Sequence, residues 1–402
     1  MGKMRKGNFR GIQKGIKMKK MCVIVDDLRE FGGCEKWVLN VINLLKNTKF
    51  SLLTYLDKNG YGRININQLI KSKDVKIINF NVIQLPIIKE KIPAGIASVI
   101  AFKEIKDFDV IYSTTQNIFI NLFFMAAAKL YNKRFIVGLH GSIIFRDFLY
   151  SKNSLKIFFL PLYNKIQRKV FFLSKEIHVI NNQQKIYLLK NGYHGVIHYI
   201  PYFIFDNPYS RTFNKNPKPK FNQKFFNVLF IGRLSEFDKG TDLLSKIIKS
   251  LNAKTKKIRF YIVGTGPEEN TLKKVLNFPN VIFCGFQSGE SLKNIYKNSD
   301  LLITTSRYES FGLNILEAQI NGIPVIAFKT DGALEIIKKP FQGSLIKKYD
   351  IKAYVKEVIK YYNGRASYKN KNLIKKYIYK QFDKNNAKRK LIYLFNRVDY
   401  ND

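Results

Sequence analysis

Short apolar runs alternate along this chain with longer stretches in which apolar positions recur at helical spacing. Met21 to Val25 is the first such run, and a continuous apolar segment bounded by polar residues predicts a strand buried on both faces. Phe50 to Tyr55, Val75 to Phe80, Val110 to Thr114, Phe135 to Leu139 and Ile177 to Ile180 repeat the pattern, and Lys36 to Lys46 has the spacing of a helix. A second series follows at Asn227 to Ile231, Arg259 to Val263, Val281 to Phe283, Leu301 to Thr305 and Val325 to Phe328. Strands alternating with helices predict α/β layers on parallel sheets. Between the two series, residues 206–224 carry prolines, asparagines and lysines with little apolar content, the composition of a linker. The expected organisation is therefore a basic, disordered extension over 1–18, an N-terminal domain over 19–205, the linker, a C-terminal domain over 225–372, and a terminal helix within 373–402. A chain of 402 residues is long enough for about two domains.

The second series carries the candidate chemistry at its strand ends. Leu301 to Thr305 reads as a buried strand, Gly312 as a turn, and Asn314 to Ile320 as a helix, so Glu309 falls on a loop and Glu317 on the helix that follows. Free N–H groups and the positive dipole end of a helix start suit an anion such as a diphosphate. Carboxylates repel phosphate and accept hydrogen bonds from hydroxyls, so Glu309 and Glu317 fit the sugars on either side of a sugar-nucleotide diphosphate. Asn227 to Ile231 runs into Gly232-Arg233-Leu234, with Lys239-Gly240 beyond. Cations at the carboxyl end of a parallel strand lie where ligands of such sheets bind; Arg233 can grip phosphate oxygens in pairs, and Lys239 acts as a point charge. Ile262-Val263-Gly264-Thr265-Gly266-Pro267 is a strand and glycine turn without the third glycine of a dinucleotide fingerprint, which disfavours NAD.

These landmarks, in this order, resemble the retaining glycosyltransferases of family 4. The resemblance is carried chiefly by residues 226–346: the E-x7-E pair Glu309 and Glu317, Ser310-Phe311-Gly312-Leu313 between them, Gly322-Ile323-Pro324-Val325, the G-R-L and K-G elements, Gly264 and Gly266, and Cys284-Gly285-Phe286. It implies a GT-B fold, two Rossmann-like domains facing each other across a cleft. It further implies that Glu309 contacts the donor sugar, Glu317 the ribose, Arg233 and Lys239 the diphosphate, and Phe286 with the glycine loop the nucleotide. In the first half, Gly32-Gly33-Cys34-Glu35 is similar to the family's G-G-x-E, making Gly33 a contact from the opposite wall. His140, at the end of Phe135 to Leu139, resembles its strand-end histidine beside the donor sugar. The donor is expected to be UDP- or GDP-linked, the acceptor a saccharide or lipid-linked saccharide, and the anomeric configuration retained. A sugar-nucleotide epimerase and a noncatalytic basic binding protein are the rival classes; the complete set of landmarks weighs against both.

Charge changes this picture in one respect. Lys and Arg number 70 against 29 Asp and Glu, a formal charge of +41. A lysine-rich composition throughout accounts for much of it, an anionic membrane surface is the favoured partner, and the absence of a recognisable nucleic-acid motif weighs against specific nucleic-acid binding. Phe145, Phe148, Phe158, Phe159, Phe171 and Phe172 interleave with basic residues, a pattern suited equally to a bilayer surface and to buried helices of the first domain. No cofactor or metal is expected: Cys22, Cys34 and Cys284 are dispersed, His140, His178, His194 and His198 include only one short pair, which has no carboxylate beside it, and Asp107-Phe108-Asp109 precedes a strand instead of following one. Unpaired cysteines point to a reducing cytoplasm, and the basic surface to the inner face of the plasma membrane.

Overall fold

In a computed structural model of the chain, the described residues are 20–26, 32–45, 48–55, 75–85, 90–141, 154–205, 219–364 and 371–396, with side chains of 154–160 excluded. The basic extension, residues 206–218 of the expected linker, and Phe145, Phe148 and the side chains of Phe158 and Phe159 lie outside them.

The first sheet contains β1 (Lys20–Ile24), β2 (Lys49–Tyr55) and β3 (Lys76–Phe80). A short antiparallel pair, β4 (Val82–Gln84) and β5 (Lys91–Pro93), stands apart from it. The sheet continues with β6 (Val110–Ser113), β7 (Arg134–Leu139), β8 (Glu176–Val179) and β9 (Val196–Tyr199), in the spatial order β3-β2-β1-β6-β7-β8-β9. The second sheet is built from β10 (Phe226–Ile231), β11 (Ile258–Val263), β12 (Val281–Gly285), β13 (Leu301–Thr304), β14 (Val325–Phe328) and β15 (Gly343–Ile346), ordered β12-β11-β10-β13-β14-β15. Its neighbours pair in parallel. Counted from its own first strand, with the hairpin left out, the second sheet follows the doubly wound order 3-2-1-4-5-6 and the first follows the same order with a seventh strand at its edge. The hairpin β4-β5 and the strands β9 and β15 lie outside the strands expected from the apolar runs; each is short and mostly half-buried or exposed, so it lacks the continuous apolar run of a strand covered on both faces.

The chain divides into two compact units, residues 1–137 with 390–402, and residues 138–389. In the first, Cys22, Ile24, Leu53, Phe80, Ile111, Phe124 and Ala127 form a closed core. Trp37 and Tyr112 pack at 5.7 Å between ring centroids, and Tyr112 meets Phe395 edge-on at 5.6 Å. Arg134 Nη2 donates to the Leu394 carbonyl at 3.0 Å, so the end of helix Lys384–Asn396 is fastened into this unit.

In the second unit, β10 is buried along its length except at Ile231, as a central parallel strand with both faces covered must be. Helix Thr241–Lys254 buries Leu243, Leu244, Ile247, Ile248 and Leu251 on one stripe against it. The buried hydroxyl of Tyr354 donates to the Ile326 carbonyl at 2.6 Å and accepts from Thr304 N–H at 3.1 Å. One side chain thus ties β14 to the end of β13, where the candidate residues begin. Among the described residues, no helix is long and apolar enough to cross a membrane.

Candidate active site at the ends of β10 and β13

Strand order reverses between β10 and β13, which pair Val228 with Leu301 and Leu229 with Leu302. Chains leaving two such strands turn to opposite faces of the sheet, and the crevice at their carboxyl ends is the usual ligand site of an open α/β sheet. β10 leads to the exposed Arg233, whose guanidinium forms no hydrogen bond or ion pair with another described residue. One turn of helix, Glu236–Lys239, then brings Lys239 back toward β13. Its ammonium donates to Glu309 Oε2 at 2.6 Å, with the two side chains only 19% and 15% exposed. Burial works to lower the pKa of Lys239, but the charge and hydrogen bond of Glu309 outweigh it and hold the ammonium above its ordinary value.

The turn that carries Lys239 is fixed from the β13 side. Gly240 has φ 65°, and a Cβ there would lie 2.4 Å from the Thr305 carbonyl oxygen, so only glycine fits. Thr305 Oγ1 donates to the carbonyls of Lys239 and Gly240 at 2.8 and 3.0 Å. Arg307, buried, forms a bidentate pair with Asp242 at 2.8 and 2.7 Å and also donates to the Glu236 carbonyl. Its own N–H donates to the Asp238 carbonyl at 2.9 Å.

Glu317 lies on helix Leu313–Ile320 and is nearly buried; Tyr296 donates its hydroxyl to Glu317 Oε2 at 2.8 Å. The helix opens from Gly312, whose φ of 87° is left-handed. Among the described residues, the N–H groups of Leu313 and Asn314 have no acceptor, whereas Leu316 N–H is taken by Gly312 and Ile315 N–H by the Asn314 side chain. Asn314 Nδ2 reaches the Ile231 carbonyl at 3.0 Å, joining this helix start to β10.

The remaining candidates take several different places. Gly264 and Gly266 press on the Arg233 loop: a Cβ on Gly264 would fall 1.9 Å from the Gly232 oxygen, and one on Gly266 2.3 Å from the Leu234 oxygen. These two glycines therefore let β11 support the loop from behind. Phe286, at the end of β12, is half exposed. Ser310 accepts from Asn181 Nδ2 through its carbonyl at 2.7 Å, and Phe311 packs between Tyr202 and Phe382 at 4.8 and 5.5 Å. His140 is buried, with Nδ1 3.0 Å from the Tyr202 hydroxyl and its ring 5.5 Å from that of His178. Burial, and secondarily His178, push its pKa well below the ordinary histidine value. Gly33 belongs to the other unit, as the first residue of helix Gly33–Leu44, where the Glu35 carboxylate accepts Gly32 N–H at 2.9 Å. Asp109 accepts Lys20 N–H at 2.7 Å. Among the described residues, no three His, Cys, Asp or Glu side chains converge on a point that could hold a metal.

Sequence pattern does not single out Asp242, Tyr296, Asn314, Thr305 or Arg307 as functional. Arg307 alone leaves a trace, a charged residue directly after an apolar strand. Glu335 is equally inconspicuous, although its carboxylate accepts Asn182 N–H at 2.8 Å and the Tyr199 hydroxyl at 2.5 Å. A glutamate on the short helix Asp331–Ile336 carries no local sign of such partners.

Two parallel α/β sheets of this order, with a charged switch point in the second, define the GT-B class of fold. Residues 211–381 match the model of the family described as glycosyl transferases group 1. An uncharacterized glycosyltransferase of Methanocaldococcus jannaschii is 26% identical over 82% of this chain and 85% of its own length. A GDP-mannose-dependent alpha-mannosyltransferase of Corynebacterium glutamicum is 34% identical over 31% of this chain and 28% of its own. Matches to the first curated relatives span only 28 to 32% of those proteins. The solved structure of Anabaena HepE in complex with UDP-glucose has the same fold, with a TM-score of 0.72 at 15% identity, covering 94% of this chain and all of that one.

Proposed function

We propose that the protein is a retaining glycosyltransferase that moves a sugar from a UDP- or GDP-linked donor to a saccharide or lipid-linked saccharide acceptor. The observation that carries this reading is the Lys239–Glu309 contact beside the paired strands β10 and β13, with Arg233 on the loop after β10 and Glu317 on the helix that Asn314 joins to β10. As the sugar leaves, negative charge grows on the bridging oxygen of the diphosphate, and a preorganised positive site stabilises that charge more than it stabilises the bound donor. Arg233, Lys239 and the open N–H groups at the start of helix Leu313–Ile320 supply such a site without a metal ion. Glu309 and Glu317 accept hydrogen bonds from the donor sugar and the ribose. The reaction then proceeds by same-face attack, with the departing phosphate accepting the acceptor's proton. The donors named for relatives, GDP-mannose and UDP-glucose, are of the class the site suits.

A cytoplasmic protein held on an anionic membrane agrees with the excess of basic residues, and Leu162, Ile166 and Leu173 stand exposed on one helix with Lys165 and Lys169. The test of function is a screen of UDP- and GDP-sugars for slow hydrolysis, repeated in excess EDTA. Release of nucleoside diphosphate from one donor, undiminished by chelation, is the expected result. No hydrolysis of any donor sinks the proposal, and loss of turnover in EDTA sinks its metal-free part.

A further inference from the structure

Two ion pairs join the same two segments, residues 236–242 and 305–309, and they differ in kind. Arg307 and Asp242 form a bidentate pair, and Arg307 has further bonds to the Glu236 and Asp238 carbonyls. That planar, multiply bonded guanidinium fixes the separation of the segments. Lys239 and Glu309 share a single contact at 2.6 Å between two mostly buried groups. A lysine ammonium on a flexible stem can change partners without moving the backbone. Gly240, locked against the Thr305 carbonyl, keeps the stem's root in place while it does so.

Resting on the donor-site reading above, we infer that Glu309 also competes with phosphate for Lys239 and thereby weakens binding of the sugar-free nucleoside diphosphate. When a donor binds, Lys239 turns to the phosphates and the sugar hydroxyls take its place on Glu309, so the carboxylate keeps its hydrogen bonds. When a nucleoside diphosphate binds alone, the same exchange leaves Glu309 shielded from water, without a donor and beside a polyanion. Both consequences oppose binding. After transfer, Glu309 has lost its sugar and draws Lys239 back, which favours release of the product. The carboxylate that selects the substrate thus also expels what is left of it.

Calorimetric titration with UDP and with GDP tests this in the full chain. Whichever nucleotide binds the wild type is expected to bind Glu309→Gln about tenfold more tightly, while transfer from the intact donor falls. In the Lys239→Ala background the substitution at Glu309 is expected to raise affinity by much less than tenfold, since the competition has lost its object and only the repulsion between carboxylate and phosphate remains. Glu309→Ala repeats the measurement should the amide variant not fold. Equal or weaker nucleotide binding in the Glu309 variants, with binding by the wild type intact, overturns the inference and spares the donor site. Binding of neither nucleotide by any form overturns the donor-site reading and this inference with it.

Discussion

The two sheets follow one strand order, yet the ends of their paired central strands are furnished differently. At the end of β1 and β6 the described residues are mainly hydroxyls and a carboxylate: Thr114 Oγ1 donates to the Ile24 carbonyl at 3.0 Å, and Tyr55 donates to Asp26 at 3.1 Å and accepts from Lys91 Nζ at 3.0 Å. At the end of β10 and β13 they are cations with a carboxylate, Arg233, Lys239 and Glu309, on turns held in place by backbone contacts. Topology locates a crevice in both sheets, and side chains decide what it can hold. Among the described residues, the second brings two cations, Arg233 and Lys239, to the turns that leave its central strand. The same winding therefore carries two chemistries, and a function cannot be read from the fold alone.

The largest expected effect breaks the second switch point mechanically. Gly264→Val places carbon where the Gly232 carbonyl stands, at a φ of 128° that branched residues avoid, and should destabilise the second unit by at least about 3 kcal/mol. Urea unfolding followed by hydrogen exchange resolves which unit loses protection, and an unchanged midpoint refutes the backbone contact.

Acid separates the units next. All four histidines fall within residues 138–389. Burial holds the His178 pKa down at about 4, and His140 is also depressed. An unfolded histidine titrates near 6.5, so as pH falls from there toward 4 the unfolded chain takes up protons that the folded chain refuses, and stability declines. For His178 the cost is about 1.4 kcal/mol per pH unit through that window, about 3 kcal/mol by pH 4, and His140 adds to it in the same direction. Amide exchange at pH 7 and pH 5 is expected to show the loss in the second unit; equal loss in both assigns it elsewhere.

Arg233→Ala sharpens the chemical half of the comparison. Donor turnover should fall at least roughly tenfold, about 1.4 kcal/mol of barrier, as it should for Glu317→Ala. Near wild-type rates in both exclude the diphosphate site at β10. The smallest expected effect is that of Tyr296→Phe, which removes the hydroxyl on Glu317. A lost hydrogen bond to a buried carboxylate is worth about 1 kcal/mol, seen as a roughly fivefold rise in donor KM with kcat nearly kept. A fall in kcat alone moves Glu317 away from ground-state binding.

Most of this architecture is legible in the sequence because buried parallel strands are nearly continuous apolar runs. The expected Asn227 to Ile231 and Leu301 to Thr305 differ from β10 and β13 by one residue at one end. Gly312 and the helix after it also follow from local pattern, a breaker and then uninterrupted helical spacing. Pairing at a distance is what stays hidden. Lys239 and Glu309 are 70 residues apart, and Arg307 and Asp242 are 65 apart. Each pair exists because the chain crosses from one side of β10 to the other before laying down β13, a property of strand order that no single stretch records. The glycines of Gly264-Thr265-Gly266 are legible as a turn, but their neighbours, the Gly232 and Leu234 carbonyls, belong to the adjoining strand's loop and leave no local sign.

The fastening of Leu394 and Phe395 to Arg134 has a bearing on biosynthesis. A unit whose first strand begins at Lys20 receives its last stave from residues 390–396, so the ribosome must deliver nearly everything in between before that stave can be seated. Until then Tyr112 lacks the ring of Phe395 against it, and the nascent first unit waits with an open seam that residues 390–396 close.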